Sequence, residues 1–374
     1  MSEPFEIFLA TQPGLEPLLA QEARTMGFDP QAVAGGVTVA GDWRDVWRCN
    51  IGLRTAGRVL VRLVSFRAFH LAQLDKRARK LPWGEWLPAG AQLTLETTTQ
   101  KSKIYHGGAA SQRILGAARM ALGPESPEAP ALRLLARIDD NLVTVSVDTS
   151  GDPLHRRGHK AAVGKAPLRE TMAAAFLMRM GFDGSYSVID PMCGSGTFVL
   201  EAAEIAAGLP PGRSRAFAFE TLPSAQTPTA KAAIAALRSG PQSDARPTPR
   251  VRFFGQDRDD GAIRNATANA DRAGVSDWVR FTRQAVSATT RPDGPPGLIM
   301  VNPPYGARIG NRKLLFGLYG SLGEVLRRDF GGWRVGLVTS DAGLARATGL
   351  PWLAQDAAVS HGSLKVRLYR TAAL

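Results

Sequence analysis

Cys49 and Cys193 are the only cysteines in 374 residues. That scarcity excludes a disulfide framework and a zinc ribbon, and it suits a reducing cytosol. No apolar run approaches the ~20 residues that a membrane-spanning helix needs. Met1 to Ala10 includes Glu3 and Glu6 and lacks the basic start and apolar centre of a signal peptide. A cytoplasmic chain without membrane contact is expected. Acid is scarce too: 33 Asp and Glu face 46 Lys and Arg, a formal net charge of +13. Such an excess favours a polyanion, most commonly nucleic acid, through phosphate contacts and counterion release. Charge kept for solubility is the other reading. His155 and His159 have metal-like spacing, but Gly158 intervenes and no Cys or carboxylate pattern surrounds them, so a solvated basic linker and no metal are expected.

The length allows two or three domains, each with a core. The first half reads as α+β. Phe5 to Ala10 is a strand, Leu15, Leu18, Leu19 and Ala23 mark a helix closed by Gly27, and Val37 to Ala40 is a second strand. One or two elements then carry Arg54, Arg58, Arg62, Arg67, Lys76, Arg77, Arg79 and Lys80, opposed in that run by Asp75. Leu93 to Thr99 is β-prone, Gly107 to Leu122 is helical, and Leu132 to Ile138 with Leu142 to Val147 form a hairpin about Asp139-Asp140-Asn141. The basic stretch His155 to Lys160 follows.

Beyond it, strands alternate with helices, the mark of a parallel sheet. Pro167 and Gly181 bracket a helix. Strands are expected at Ser187 to Asp190, Arg252 to Gly255, Trp278 to Thr282, Leu298 to Val301 and Val335 to Thr339, and helices at Phe198 to Ala207 and Ala262 to Ala273. Leu364 to Tyr369 alternates like an edge strand. Residues 209 to 250, rich in Pro, Ala, Ser and Arg, read as an insertion that is partly loop.

Two motifs carry the chemistry. Asp190-Pro191-Met192-Cys193-Gly194-Ser195-Gly196-Thr197 is a strand end, a glycine turn and a helix start, an arrangement that brings backbone N–H groups close to a cofactor. A dinucleotide fingerprint needs a third glycine, and this loop continues into Thr197, Phe198 and Val199, which favours a cofactor without phosphates. Cys193 reads as a small lining residue, since no His or acid accompanies it as a nucleophile's base would. Asp257, at the next strand end, is placed to accept both ribose hydroxyls; a helix-start acid is the alternative, with Asp259 and Asp260 competing for it. Its separation from Asp190 far exceeds the ~20 residues of dinucleotide folds, and the insertion accounts for the surplus.

Asn302-Pro303-Pro304-Tyr305 lies at the carboxyl end of an apolar strand, where open α/β sheets bind ligands. An exocyclic base amine is a poor nucleophile because its lone pair is delocalised. The Asn302 side-chain oxygen and the Pro303 carbonyl can hold its two hydrogens and aim the lone pair, while Tyr305 stacks on the base. A sulfonium methyl is already activated, so positioning carries the rate and no strong base is needed. Together the motifs point to an S-adenosylmethionine-dependent N-methyltransferase; a rigid proline turn with a structural Tyr is the alternative. Glu201 and Glu204 read as a solvated helix face. The cations from Arg54 to Lys80, above all Arg77, Arg79 and Lys80, read as an RNA surface, with Arg156, Arg157 and Lys160 of the linker as further RNA contacts.

The cofactor loop resembles that of THUMP-domain guanine-N2 RNA methyltransferases, and most closely the methyltransferase half of bacterial enzymes that modify a 23S ribosomal RNA guanine. Leu168 to Ala175, Asn302 to Gly306, Phe330 to Trp333, and Asp148 to Gly151 with His155 and Gly158 carry the resemblance further, over nearly the whole chain. It implies a ferredoxin-like segment at 1–53, a THUMP RNA-binding domain at 54–150, a linker at 151–165, and a seven-stranded class I methyltransferase domain at 166–374. It also implies transfer from S-adenosylmethionine to guanine N2 in 23S ribosomal RNA. Asp190, Met192, Cys193, Gly194, Ser195, Gly196 and Asp257 would bind the cofactor. Family members often place an acid near the adenine amine, and Ala285 stands there instead, leaving that contact to Gln284 or to backbone groups. Some members carry a second methyltransferase downstream, which is not expected here. Rival readings are the same chemistry on transfer RNA, N6-adenine methylation of DNA, glutamine methylation of a protein, and a non-catalytic RNA-binding assembly factor.

Overall fold

A computed structural model describes residues 4–160, 168–240, 252–305, 312–362 and 364–374. Pro167, Gly306, residues 161–165 of the linker and residues 241–250 of the insertion, all used above, lie outside the described residues. The chain divides into two compact units: Met1–Thr11, Glu22–Leu154 and Arg215–Arg238 form one, and Gln12–Gln21, His155–Ser214 and Ser239–Leu374 the other.

The first unit is built on strands β1 (Phe5–Ala10), β2 (Gln31–Val33), β3 (Gly36–Gly41), β4 (Arg58–Arg67), β5 (Gln92–Gln100), β6 (Ala131–Asp139) and β7 (Leu142–Asp148). They form one sheet in the order β2-β3-β1-β4-β7-β6-β5. Pairing of β1 with β4, Ile7 opposite Val61, carries that sheet across residues 53 and 54, where the sequence reading places a domain boundary. The β6–β7 turn takes left-handed backbone at Asp140 and Asn141, the tight hairpin expected from those residues. The helices are α1 (Glu16–Thr25, shared between the units), α2 (Trp43–Gly52), α3 (Leu71–Ala78), α4 (Trp83–Trp86) and α5 (Gly107–Leu122). In α5 the buried positions Ala110, Ile114, Ala117, Ala118 and Leu122 recur at helical spacing and give it one apolar face.

The second unit follows strand–helix alternation. Its elements begin with α6 (Glu170–Arg179), β8 (Val188–Asp190) and α7 (Thr197–Ala206). The insertion holds α8 (Pro228–Ser239), which belongs to the first unit except for its last residue; Pro at the first turn and the Thr227 hydroxyl, accepting from the Ala230 N–H, start a helix in a loop-like composition. Then come β9 (Phe253–Asp257), α9 (Asp260–Ala273), β10 (Val279–Arg283), β11 (Leu298–Val301), α10 (Arg312–Asp329), β12 (Arg334–Thr339), α11 (Ala342–Ala347), β13 (Val359–His361) and β14 (Leu364–Arg370). The sheet order is β10-β9-β8-β11-β12-β14-β13. The strand at Leu364, expected at the edge, is thus interior: β14 pairs antiparallel with both β12 and β13, because buried Val366 and Leu368 need cover that only an inner strand receives. Three-residue β13 takes the edge, short as edge strands commonly are. From β8 the chain runs outward through β9 and β10, then returns to β11 on the other side of β8. Open α/β sheets bind ligands at the carboxyl ends of the strands flanking such a reversal, here β8 and β11.

Candidate active site

Asp190 ends β8 with 3% of its surface exposed. Its Oδ1 accepts the Met192 N–H at 3.0 Å. Burial pushes this carboxyl well above the usual range, and nearby Asp257 adds to the rise. The following turn closes through the Gly196 N–H to the Cys193 carbonyl, 2.8 Å, with left-handed backbone at Gly194 and Gly196. A Cβ at Gly196 would also press on the Phe281 ring at 3.2 Å, whereas among the described residues, its chain neighbours aside, no atom lies within 4 Å of a Cβ position at Gly194. The loop is therefore tight at its helix end and, among the described residues, open at its tip. The Cys193 N–H donates to the Gln256 carbonyl at 2.8 Å, and burial raises the Cys193 thiol, which leaves it a small lining group with little thiolate character. The Ser195 carbonyl accepts from the buried Asn269 amide at 3.1 Å.

Asp257, the last residue of β9, turns to the same loop. Its Oδ2 accepts the Gly194 N–H at 3.0 Å and its Oδ1 the Asp259 N–H at 2.9 Å. The helix-start role open to it by sequence falls to Asp259, which caps α9 by accepting from Gly261 at 2.7 Å. Gln284 follows β10; its N–H donates to the Asp257 carbonyl at 2.8 Å, and its side-chain amide bends back to the Ala288 carbonyl. Met192 is half-buried against the apolar core.

The second motif stands at the end of β11, every residue of which is buried. Register Ile299↔Ile189 sets it beside the loop after β8. The Asn302 Oδ1 is buried and has no donor among the described residues. Pro303 is buried and Pro304 half-buried, and the Pro304 carbonyl accepts from the Tyr319 hydroxyl at 3.3 Å. Tyr305 differs from expectation. Its ring is 9% exposed and belongs to the apolar core, its hydroxyl lies 3.4 Å from His361 Nδ1, and burial pushes that hydroxyl up to about 12.

The largest correction concerns the basic stretch. Arg157 is 1% exposed and its Nε meets Glu201 Oε1 at 3.0 Å. Burial opposes its charge, and Glu201 with Glu204 and Glu170 more than restores it. His159 Nε2 lies 3.1 Å from Glu204 Oε1, which also receives Arg213 at 2.8 Å. The Lys160 side chain, 4% exposed, reaches Glu170 Oε1 at 2.8 Å and the Thr197 hydroxyl at 2.6 Å. Burial lowers His159 and holds His155 down to about 4, so both rings are neutral at pH 7. Arg157 and Lys160 therefore offer no surface to RNA, and Glu201 and Glu204 do not face solvent. Arg156 is exposed. A signal was present in the acids' company: α6 and α7 are apolar nearly all round, and a carboxylate in such a helix is buried and needs a partner.

The other RNA candidates belong to the first unit. Lys76, Arg77, Arg79 and Lys80 are exposed on α3 and just beyond it. Arg79 pairs with Asp75 at 2.8 Å, and Arg77 stands over the Phe66 ring at 6.0 Å. Three earlier cations of the run meet acids elsewhere in the unit: Arg58 meets Asp148, Arg62 meets Glu6 and Arg67 meets Asp140 of the β6–β7 turn. Among the described residues no group of three or more His, Cys, Asp or Glu is placed to hold a metal, and no helix is long and apolar enough to cross a membrane.

Residues 157–366 match the family model described as RMKL-like, methyltransferase domain. The chain belongs to that family. Residues 6–60 match the RlmL ferredoxin-like domain, in keeping with the fold of β1–β4. The ribosomal RNA large subunit methyltransferase K/L of Syntrophotalea carbinolica is 35% identical over 366 residues, covering 94% of this chain and 51% of that protein. The chain thus spans about half the length of the curated relatives it matches. A putative methyltransferase solved in complex with SAH superposes with a TM-score of 0.88 at 26% identity, covering 100% of this chain and 99% of that one. A Listeria monocytogenes protein named as a predicted N6-adenine-specific DNA methylase superposes at 0.87 with 28% identity, covering 100% and 97%.

Proposed function

We propose that this chain transfers a methyl group from S-adenosylmethionine to the exocyclic N2 of a guanine in 23S ribosomal RNA. The observation that carries the reading is the Asn302 Oδ1, a buried acceptor without a donor among the described residues, beside a glycine loop at a sheet reversal. The residues present fit the cofactor. Among the described residues the loop tip at Gly194 is open, and the Asp257 carboxylate faces the loop rather than capping a helix. Asp190, Met192, Cys193, Gly194, Ser195 and Gly196 would hold it, with Asp257 on the ribose hydroxyls. The Gln284 backbone would lie by the adenine. When bound, the cofactor supplies an activated sulfonium methyl. Asn302 Oδ1 and the Pro303 carbonyl accept the two hydrogens of the amine and turn its lone pair toward the methyl, while Pro304 keeps the turn rigid and Tyr305 anchors the motif against the core. No strong general base is required.

The guanine and ribosomal parts of the reading are supported by the family and by the K/L name of the relative. Residues 54–150 are assigned to a THUMP-type RNA-binding region, with Arg77, Arg79, Lys80 and Arg156 as phosphate contacts. A cytoplasmic setting follows from that substrate. The name of the Listeria neighbour favours adenine as a second reading, since the Asn-Pro-Pro-Tyr motif suits either amine. Deleting the gene and mapping methylated nucleosides by mass spectrometry separates these readings. Loss of one N2-methylguanosine in 23S RNA is expected. A loss confined to transfer RNA, or of N6-methyladenine in DNA, would replace the proposal.

A further inference from the structure

We infer that Lys160 is a positioning residue for the cofactor loop, acting through Thr197. The inference rests on the cofactor reading above. Helix α7 begins at Thr197 with Gly196 in the capping place, so its first turn has no side-chain cap. An uncapped turn leaves backbone N–H groups available to a ligand, yet it also frays more readily. The Lys160 ammonium supplies the missing restraint. It donates to the Thr197 hydroxyl at 2.6 Å and to Glu170 at 2.8 Å, the first residues of α7 and α6. A cation at two helix N-termini is opposed by both macrodipoles, and its burial costs more still. Solubility gains nothing from a side chain that is 4% exposed.

The neighbouring residue braces the loop from a second side. The Arg272 guanidinium donates to the His159 carbonyl at 2.8 Å and to Asn269 Oδ1, while the Asn269 amide donates to the Ser195 carbonyl at 3.1 Å. Residues 159 and 160 thus hold the loop at Ser195 and at Thr197, on both sides of Gly196. The segment read from sequence as an RNA-binding linker acts as a strap that fixes the amides of the turn.

The test compares Lys160→Met, Thr197→Val and Thr197→Ser. In the cofactor-free protein, amide hydrogen exchange across residues 193–198 should quicken on the order of 10-fold in K160M and T197V, as expected for one lost charge-assisted bond, and stay at the wild-type rate in T197S. Calorimetry with S-adenosylhomocysteine should show a weakening of similar size in the first two variants and rescue in T197S, with RNA affinity and its salt slope unchanged in all three. Wild-type exchange and wild-type affinity in T197V would overturn the inference. So would a salt slope lowered by about 0.7 in K160M, the signature of a lost phosphate contact. If K160M does not fold, the T197V and T197S pair decides alone. Failure of the wild-type protein to bind S-adenosylhomocysteine would defeat the cofactor reading, and the exchange data would still decide whether the strap positions the loop.

Discussion

A side-chain amide oxygen at the end of a buried strand is ordinarily claimed by a nearby N–H, and that of Asn302 has none among the described residues. An unmet buried acceptor costs roughly 1–3 kcal/mol, a cost that substrate binding would relieve. Asn302→Ala should therefore lower methyl transfer by about 100-fold or more while leaving S-adenosylhomocysteine affinity nearly unchanged. Turnover near wild type in a radiometric assay would remove Asn302 from the mechanism. Asp257 behaves oppositely, because its carboxylate touches the loop amide of Gly194 rather than the second motif. Asp257→Ala should weaken cofactor binding by about 10- to 150-fold, the equivalent of roughly 1.5–3 kcal/mol for a charged acceptor. Unchanged affinity by calorimetry would place the ribose partner elsewhere. The strand-end position of both residues was legible in the sequence, because local pattern predicts where a strand stops. The burial of Tyr305 was not, since its cover comes from the apolar core assembled by distant segments.

At the level of elements, β9 has no room for a side chain at Gly255, which lies against Phe281 of β10 and Cys193 of the loop after β8. A Cβ there would collide with the Phe281 ring and stand 3.0 Å from Cys193 Sγ. Gly255→Ala should cost about 1–3 kcal/mol in stability, as overpacking does, and weaken cofactor binding because Cys193 belongs to the loop. Equilibrium denaturation together with calorimetry checks both parts; a stable variant with wild-type affinity would show that the strands adjust without moving the loop. Helices α6 and α7 show how composition misleads when residues are read singly. Glu201 and Glu204 have the spacing of a solvated face, yet their neighbours on α7 are apolar on every side, and the acids pair with Arg157, His159 and Arg213.

For the whole molecule, the net charge of +13 matters to a polyanion only where cations are exposed. Arg58 and Arg62 are paired and partly buried, and Arg157 and Lys160 are buried, so the exposed cluster at Arg77, Arg79 and Lys80, in which Arg79 also meets Asp75, is the surface to test. Replacing these three by Gln should reduce the slope of log K against log salt for single-stranded RNA by about two units, at about 0.7 per phosphate contact. Binding of S-adenosylhomocysteine should be unaffected. An unaltered slope with normal affinity would mark the cluster as a solvated face and move the search to Arg156 and other exposed cations.

By itself the sequence determined the alternation of strands and helices in the second unit, the β6–β7 hairpin, the glycine turn after β8 and the polar motif after β11. These follow from hydrophobic period and from residues such as Gly196 and Asn141 whose backbone preferences act locally. The place of β14 inside its sheet, the choice of Asp259 over Asp257 as a helix cap, the burial of Tyr305 and the fate of the basic stretch were decided only by tertiary structure. Each depends on a partner far along the chain or on a competing side chain, and whether a charge is solvated or paired is a property of the space around it. Lys160 therefore reads as an RNA contact in one dimension and as a buried strut in three.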